Sequence, residues 1–196
     1  AKQIIGTSER MLDLVKKLLD INMLESGAFQ MDFYAFDIIP LLDMLVEQYT
    51  APAAAKQIAI RCEYQISRGI ILANEQAVMQ ILDNIVSNAV KYSPSGRKIW
   101  VRLTEEQGFV RIAVQDEGPG LTEEDKKKLF GKFVRLSAQP TGNEHSTGLG
   151  LSIVKRMVEA MNGRVWCEAE LGKGVTFYVE LPSVRVEAAL GLGQAV

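Results

Sequence analysis

Along the first part of the chain, apolar residues recur at three- and four-residue steps: Met11, Leu14, Val15, Leu18, Ile21 and Leu24. Glu9, Arg10, Asp13, Lys16, Lys17 and Asp20 fill the steps between them, so the pattern predicts an amphipathic helix from Thr7 to Glu25. Ser26-Gly27 ends it with a small residue and a glycine suited to a left-handed cap, and Phe29 to Phe33 then reads as a short strand. A boundary near residue 28 follows. A lone helix cannot bury its own stripe, so this one must pack on the following domain or on helices from elsewhere; the second option fits a coiled-coil-like bundle.

Beyond the boundary the periodicity alternates between helix and strand. Asp37 is placed to cap a helix running to about Lys56, and Ile58, Ile60, Ile66, Ile70 and Leu72 suggest two short strands. Asn74 is placed to cap a helix through about Tyr92, stopped at Ser93-Pro94-Ser95-Gly96. Lys98 to Leu103 and Phe109 to Gln115 alternate as strands around a turn at Glu105 to Gly108. Thr122 and Asp125 form a capping-box-like start to a brief helix. A polar loop from about Ser137 to Thr147 leads into a helix from about Leu149 to Met161, and two last strands, Arg164 to Ala169 and Val175 to Leu181, meet across Gly172-Lys173-Gly174. The Ala- and Gly-rich tail from residue 185 is expected to fray. Irregular interleaving with hairpin-type strand pairs predicts an α+β fold, a two-layer α/β sandwich with one sheet backed by helices.

Composition narrows the partners. At 196 residues and 47% hydrophobic, the chain can build one sizeable core and little more. Its 22 basic and 24 acidic residues lack a long basic run, which argues against nucleic acid as a partner. No apolar stretch approaches the roughly 20 residues of a membrane span, and the first residues lack a signal-peptide pattern, so the chain as given is expected to be soluble and cytoplasmic; any membrane anchor would belong to its parent protein. Cys62 and Cys167 are far apart in strand-like surroundings and read as buried, reduced thiols. A single histidine, His145, removes most metal-site and triad chemistry.

The candidate chemistry lies in three segments. Asp116-Glu117-Gly118-Pro119-Gly120 follows a strand, where glycines permit a tight turn and close ligand approach. Ser146-Thr147-Gly148-Leu149-Gly150-Leu151 opens a helix, where free N–H groups suit a phosphate. Asp116 is an acceptor suited to an exocyclic amine such as that of adenine. On the helix ending at Tyr92, Asn84 and Asn88 share a face one turn apart with Lys91 on the adjoining flank, a set suited to a metal-bound polyphosphate. Each segment alone is open to ordinary turn or surface-helix chemistry. Ile81, Ile85 and Val86 already supply a core-facing stripe on that helix, which leaves its polar face for a ligand.

The order Asn84 to Tyr92, Asp116 to Gly120, Leu129 to Arg135 and Gly148 to Leu151 resembles the N, G1, F and G2 boxes of histidine kinases, within the wider superfamily of gyrase, chaperone and mismatch-repair ATPases. The resemblance covers roughly residues 29 to 182 and implies the Bergerat-type ATP-binding fold, a mixed sheet backed by helices, with a flexible lid from about Phe133 to Thr147. By this resemblance Asn88 is the Mg2+ ligand, Asn84 its polar companion, Lys91 a phosphate contact, Tyr92 a side chain beside the base and Asp116 the adenine-reading carboxylate, with Gly118 and Gly120 completing its turn. Phe130 and Phe133 resemble hydrophobic anchors of the lid, with Phe133 at the nucleotide site. Arg135 resembles a γ-phosphate contact. Thr147, Gly148, Leu149 and Gly150 form the phosphate-facing segment, with Ser146 where another glycine is common, a departure that bears on the lid hinge.

Met11 to Gly27 resembles the second helix of the family's dimerisation and phosphotransfer domain. With the boundary near residue 28 and the Ala- and Gly-rich tail, this divides the chain into part of that domain (1–27), the catalytic ATP-binding domain (28–184) and a tail expected to be disordered (185–196). The implied cofactors are ATP and Mg2+; the implied partners are a histidine-bearing dimerisation helix outside this chain and a response regulator receiver domain, with a homodimer in the full-length protein. His145, in the lid beside Glu144, reads as a solvated loop residue rather than the acceptor. Two alternatives stand beside the kinase: a nucleotide-binding pseudokinase scaffold and an ATP-gated assembly module. The second is disfavoured because those ATPases carry a water-activating glutamate one turn before the metal-binding asparagine, where this chain has Asn84.

Overall fold

A computed structural model describes residues 32–134, 136–142 and 147–184. The expected helix over 7–25, Arg135, His145, Ser146 and the tail from residue 185 lie outside the described residues.

The elements run β1 (Tyr34–Asp37), α1 (Ile38–Ala55), β2 (Ala59–Tyr64), β3 (Ile70–Ala73), α2 (Glu75–Tyr92), β4 (Lys98–Glu106), β5 (Phe109–Asp116), α3 (Glu123–Lys128), α4 (Gly150–Ala160), β6 (Arg164–Glu170) and β7 (Gly174–Pro182). Three starts follow the cap residues. Asp37 accepts from the N–H of Ile39, Asn74 from that of Ala77 and Thr122 from that of Asp125. Asp125 does not confine itself to a capping box, because its carboxylate turns to Ser137. The first strand among the described residues is Tyr34–Asp37, its register set by β3 through Tyr34↔Ala73 to Asp37↔Ile70; most of the strand expected over Phe29 to Phe33 lies outside the described residues.

Five strands form a mixed sheet in the order β2-β4-β5-β7-β6, parallel only between β2 and β4. β1 and β3 form a separate two-stranded sheet, where one common sheet was expected. An isolated bridge from Ile71 to Ser183 ties that small sheet to the exit of β7.

The core lies between the large sheet and the helices. Ile99, Val101, Leu103, Ile112, Val114, Phe177, Val179 and Leu181 point inward from alternate positions of β4, β5 and β7. Against them α2 buries Val78, Ile81, Leu82, Ile85, Val86 and Ala89, and α1 and α4 flank it with Leu42, Leu45, Ile153 and Met157. The opposite face of the sheet carries Trp166 stacked on Tyr178 and Arg111 paired with Glu180. The expectation of buried cysteines is not met: Cys62 is exposed and Cys167 half-buried, both as free thiols. They sit on β2 and β6, the two edge strands, where a neighbouring strand covers one side only.

Candidate nucleotide site

α2 is the frame of the site. Burial of its apolar stripe against the sheet fixes the helix's rotation, and the positions left over, Asn84, Ser87, Asn88 and Lys91, are half-buried on the other face. The Nδ2 of Asn84 donates to the carbonyl of Gln80 (2.7 Å), which orients the amide. Its Oδ1 is directed at the start of α4, where a Cβ on Gly150 would come within 2.5 Å of it. Glycine there is what lets α4 begin against α2. Asn88, one turn further on, makes no side-chain hydrogen bond among the described residues. Lys91 places its ammonium 5.5 Å from the ring centre of Tyr92.

Asp116 ends β5 at 4% exposure. Its Oδ1 accepts from the N–H of Gly118 (2.8 Å) and from that of Val175 (3.2 Å). Oδ2 has no partner among the described residues and remains available to a ligand donor. Burial pushes the carboxyl up to about 6, and the two N–H donors partly offset that rise. A Cβ on Gly118 would lie 2.7 Å from Asp116 Oδ1 and 3.1 Å from the carbonyl oxygen of Tyr92, so the turn touches the end of α2.

The turn between β6 and β7 supports this segment, a role the sequence reading missed. Gly120 (φ +71°) presses on the carbonyl of Glu170, and Gly174 (φ +97°) on that of Asp116, each close enough to exclude a side chain. The N–H of Gly172 donates to the Pro119 carbonyl (2.7 Å). Gly172-Lys173-Gly174 read as a plain hairpin turn; its glycines signalled the turn but not its neighbour.

At the start of α4, no side chain caps the helix, which leaves its first N–H groups for an anion; the N–H of Leu149 lies 3.4 Å from Thr147 Oγ1. Gly148 (φ +69°) lies against the Phe133–Val134 peptide, so the two ends of the expected lid meet there. The anchor expected of both phenylalanines holds for Phe130 alone. Phe133 is 63% exposed with φ +57°, and buried Leu129 supplies the other anchor. Asn84, Asn88, Lys91 and Tyr92 thus share α2, the turn of Asp116 and Gly118 touches its end at Tyr92, and Gly150 meets it at Asn84, whereas Gly148 lies against the Phe133–Val134 peptide.

The chain matches the family described as histidine kinase-, DNA gyrase B-, and HSP90-like ATPase over residues 73–185, and it belongs to that family. Within it, the chain is the ATP-binding catalytic domain of a two-component sensor histidine kinase. It is similar to the sensor histidine kinase WalK of Bacillus subtilis, 33% identical over 178 residues, covering 89% of this chain and 29% of WalK. It is also similar to the sensor-like histidine kinase SenX3 of Mycolicibacterium smegmatis, 28% identical over 182 residues, covering 93% of this chain and 47% of SenX3. Among solved structures, full-length ShkA in complex with AMPPNP has a TM-score of 0.80 at 31% identity, covering 90% of this chain and 36% of that one. The nucleotide-free catalytic domain of histidine kinase ThkA has a TM-score of 0.69 at 27% identity, covering 78% of this chain and 97% of that one. The chain therefore spans less than a third of WalK and less than half of SenX3. Among the described residues no helix is long and apolar enough to cross a membrane.

Proposed function

We propose that this catalytic domain holds Mg-ATP between α2 and the starts of α4 and the lid, and presents the γ-phosphate to a histidine on a dimerisation helix of the parent protein. The phosphoryl group then passes to an aspartate of a response regulator receiver domain. Residues 1–27 are the second helix of the dimerisation domain, 28–184 the catalytic domain and 185–196 a tail, and the parent works as a homodimer in the cytoplasm, where ATP is supplied.

In this reading Asp116 accepts the exocyclic amine of adenine on its open Oδ2, with Gly118 and Gly120 keeping the approach clear and Tyr92 beside the base. The N–H groups of Gly148, Leu149 and Gly150 face the phosphates, with Thr147 just before them. Lys91 leaves the Tyr92 ring for a phosphate oxygen, Arg135 reaches the γ-phosphate, and Phe133 covers the nucleotide. The half-buried amide of Asn88, without a hydrogen-bond partner among the described residues, suits a Mg2+ whose other ligands are phosphate oxygens and water; among the described residues no cluster of carboxylates, histidines or cysteines competes for the ion. When bound, that ion neutralises charge on the transferring phosphates.

Transfer forms a bond from a histidine nitrogen to the γ-phosphorus and breaks the bond to the β-phosphate oxygen, which leaves with ADP. The domain contributes position and charge. One observation favours transfer over hydrolysis: the residue one turn before Asn88 is Asn84, an amide whose Nδ2 donates to the Gln80 carbonyl and which cannot accept a proton from water. The test is radiolabelled ATP with a supplied histidine-bearing dimerisation domain. Label on the acceptor with little inorganic phosphate is expected, and inorganic phosphate without labelled acceptor overturns the reading.

A further inference from the structure

The described part of the lid, residues 136–142, is tied down at two points. At the first, Asp125 on α3, itself 3% exposed, accepts from the hydroxyl of Ser137, whose N–H also lies 3.4 Å from both carboxylate oxygens. The hydrogen bond from Ser137 is the main reason this carboxyl stays below its ordinary range, and Lys128, 3.8 Å away, acts in the same direction.

The second point follows from how α2 ends. Ser93 precedes Pro94 and is held extended (φ −71°, ψ 131°), so the helix cannot close with a left-handed cap. Its last carbonyls then need donors from elsewhere. Lys56, just past α1, sends its ammonium to the carbonyls of Val90 (2.7 Å) and Lys91 (3.2 Å). Thr141 of the lid donates its N–H to the Lys91 carbonyl (3.1 Å) and sets its hydroxyl 2.8 Å from the carbonyl oxygen of Ser93 and 3.0 Å from that of Lys91. Only Ala138, Gln139 and Pro140 separate the second anchor from the first on their shared strand of lid, and the proline stiffens that span.

We propose that these two anchors form a clasp that docks residues 136–142 on α3 and the C-terminal end of α2 before nucleotide arrives, with Asp125 and Thr141 as positioning residues that set how long a nucleotide stays. The proposal rests on the nucleotide lying between α2 and residues 148–150. Thr141 is bonded to the carbonyls of Lys91 and Ser93, on either side of Tyr92, so a lid that lets nucleotide out past the Lys91 and Tyr92 side chains must first release these carbonyls. Loss of one such bond is worth about tenfold in an opening equilibrium.

The experiment uses the chain as given. Release of a fluorescent ADP analogue is followed by stopped flow, and amide hydrogen exchange over residues 136–142 is measured without nucleotide. Thr141→Val keeps the side chain's shape and the backbone N–H but loses the hydroxyl; Ser137→Ala removes the donor to Asp125; Thr141→Ser keeps the hydroxyl. The clasp predicts release about five- to tenfold faster for Thr141→Val and Ser137→Ala, faster exchange in both, and near-unsubstituted values for Thr141→Ser. Release unchanged within about twofold overturns the positioning role whatever the exchange, and unchanged exchange overturns the docking. Because exchange is read without ligand, failure of the unsubstituted chain to bind the analogue counts against the nucleotide site and is distinguishable from failure of the clasp.

Discussion

Asp116 is under two opposed demands. Burial favours its neutral form, whereas the role proposed for it, accepting the adenine amine, needs the carboxylate. With the carboxyl raised from 3.8 to about 6, the folded protein holds this proton more tightly than the unfolded chain does. Stability from this group is therefore present at low pH and is lost as pH rises from about 4 to about 6, with the whole cost in place at pH 7. Holding the buried carboxylate ionised at pH 7 costs roughly 3 kcal/mol. Asp116→Asn keeps an oxygen for Gly118 and Val175, removes that cost and puts an NH2 where the adenine amine must donate. It should leave stability at pH 7 equal or higher by up to roughly 3 kcal/mol, read by urea denaturation, while weakening ATP at least tenfold by calorimetry. In the unsubstituted protein, affinity for ADP should fall as pH drops through about 6, and a titration flat from pH 7.5 to 5 would remove the amine-reading role. Asn88→Ala should abolish the Mg2+ dependence of ATP binding, checked by calorimetry with and without the ion.

At the scale of elements, α2 organises the site and the β6–β7 turn backs it. The caps of α1, α2 and α3 were legible because a cap needs only a short polar side chain and the next few N–H groups, all local in sequence. The same holds for the hairpins β4–β5 and β6–β7. The pairing of β1 with β3 was not legible, since Tyr34 and Ala73 meet only after the intervening chain has folded. Nor was the contact of Gly174 with Asp116, which joins residues 58 positions apart. Gly174→Ala would set a methyl against that carbonyl with φ at +97°, where a side chain is strained in any case. It should cost about 2–4 kcal/mol of stability and reduce ATP affinity, whereas Gly108→Ala, with φ +82° and open space around it, should cost only the backbone strain of about 1–2 kcal/mol. Equal losses from the two would show that the turn does not support the site.

For the molecule as a whole, the site and the core share one helix. Ile85, buried in the core, lies next to Asn84, so Ile85→Ala should destabilise the fold by about 2–5 kcal/mol, read as a shift in urea midpoint, and Mg-ATP should recover part of that loss by binding only the folded state. Saturation at about 100 times Kd contributes about 2.7 kcal/mol, or about 5–10 °C in midpoint for a chain of this size. No shift with nucleotide would contradict ATP binding by the folded domain.

The sequence by itself determined which residues are the candidates for the chemistry and in what order: an amide pair on a capped helix, an aspartate leading a glycine turn, and glycines opening a helix. Each is a local pattern written in residues a few positions apart. Tertiary structure alone decided what those groups are free to do. It closed one oxygen of Asp116 with the N–H of Val175 and left the other, set the start of α4 at Gly150 against the amide oxygen of Asn84, and finished α2 with Lys56 and Thr141. The physical reason is that a hydrogen bond across the fold depends on where burial of the core sets each element, and that placement is a sum over many distant contacts that no short pattern records.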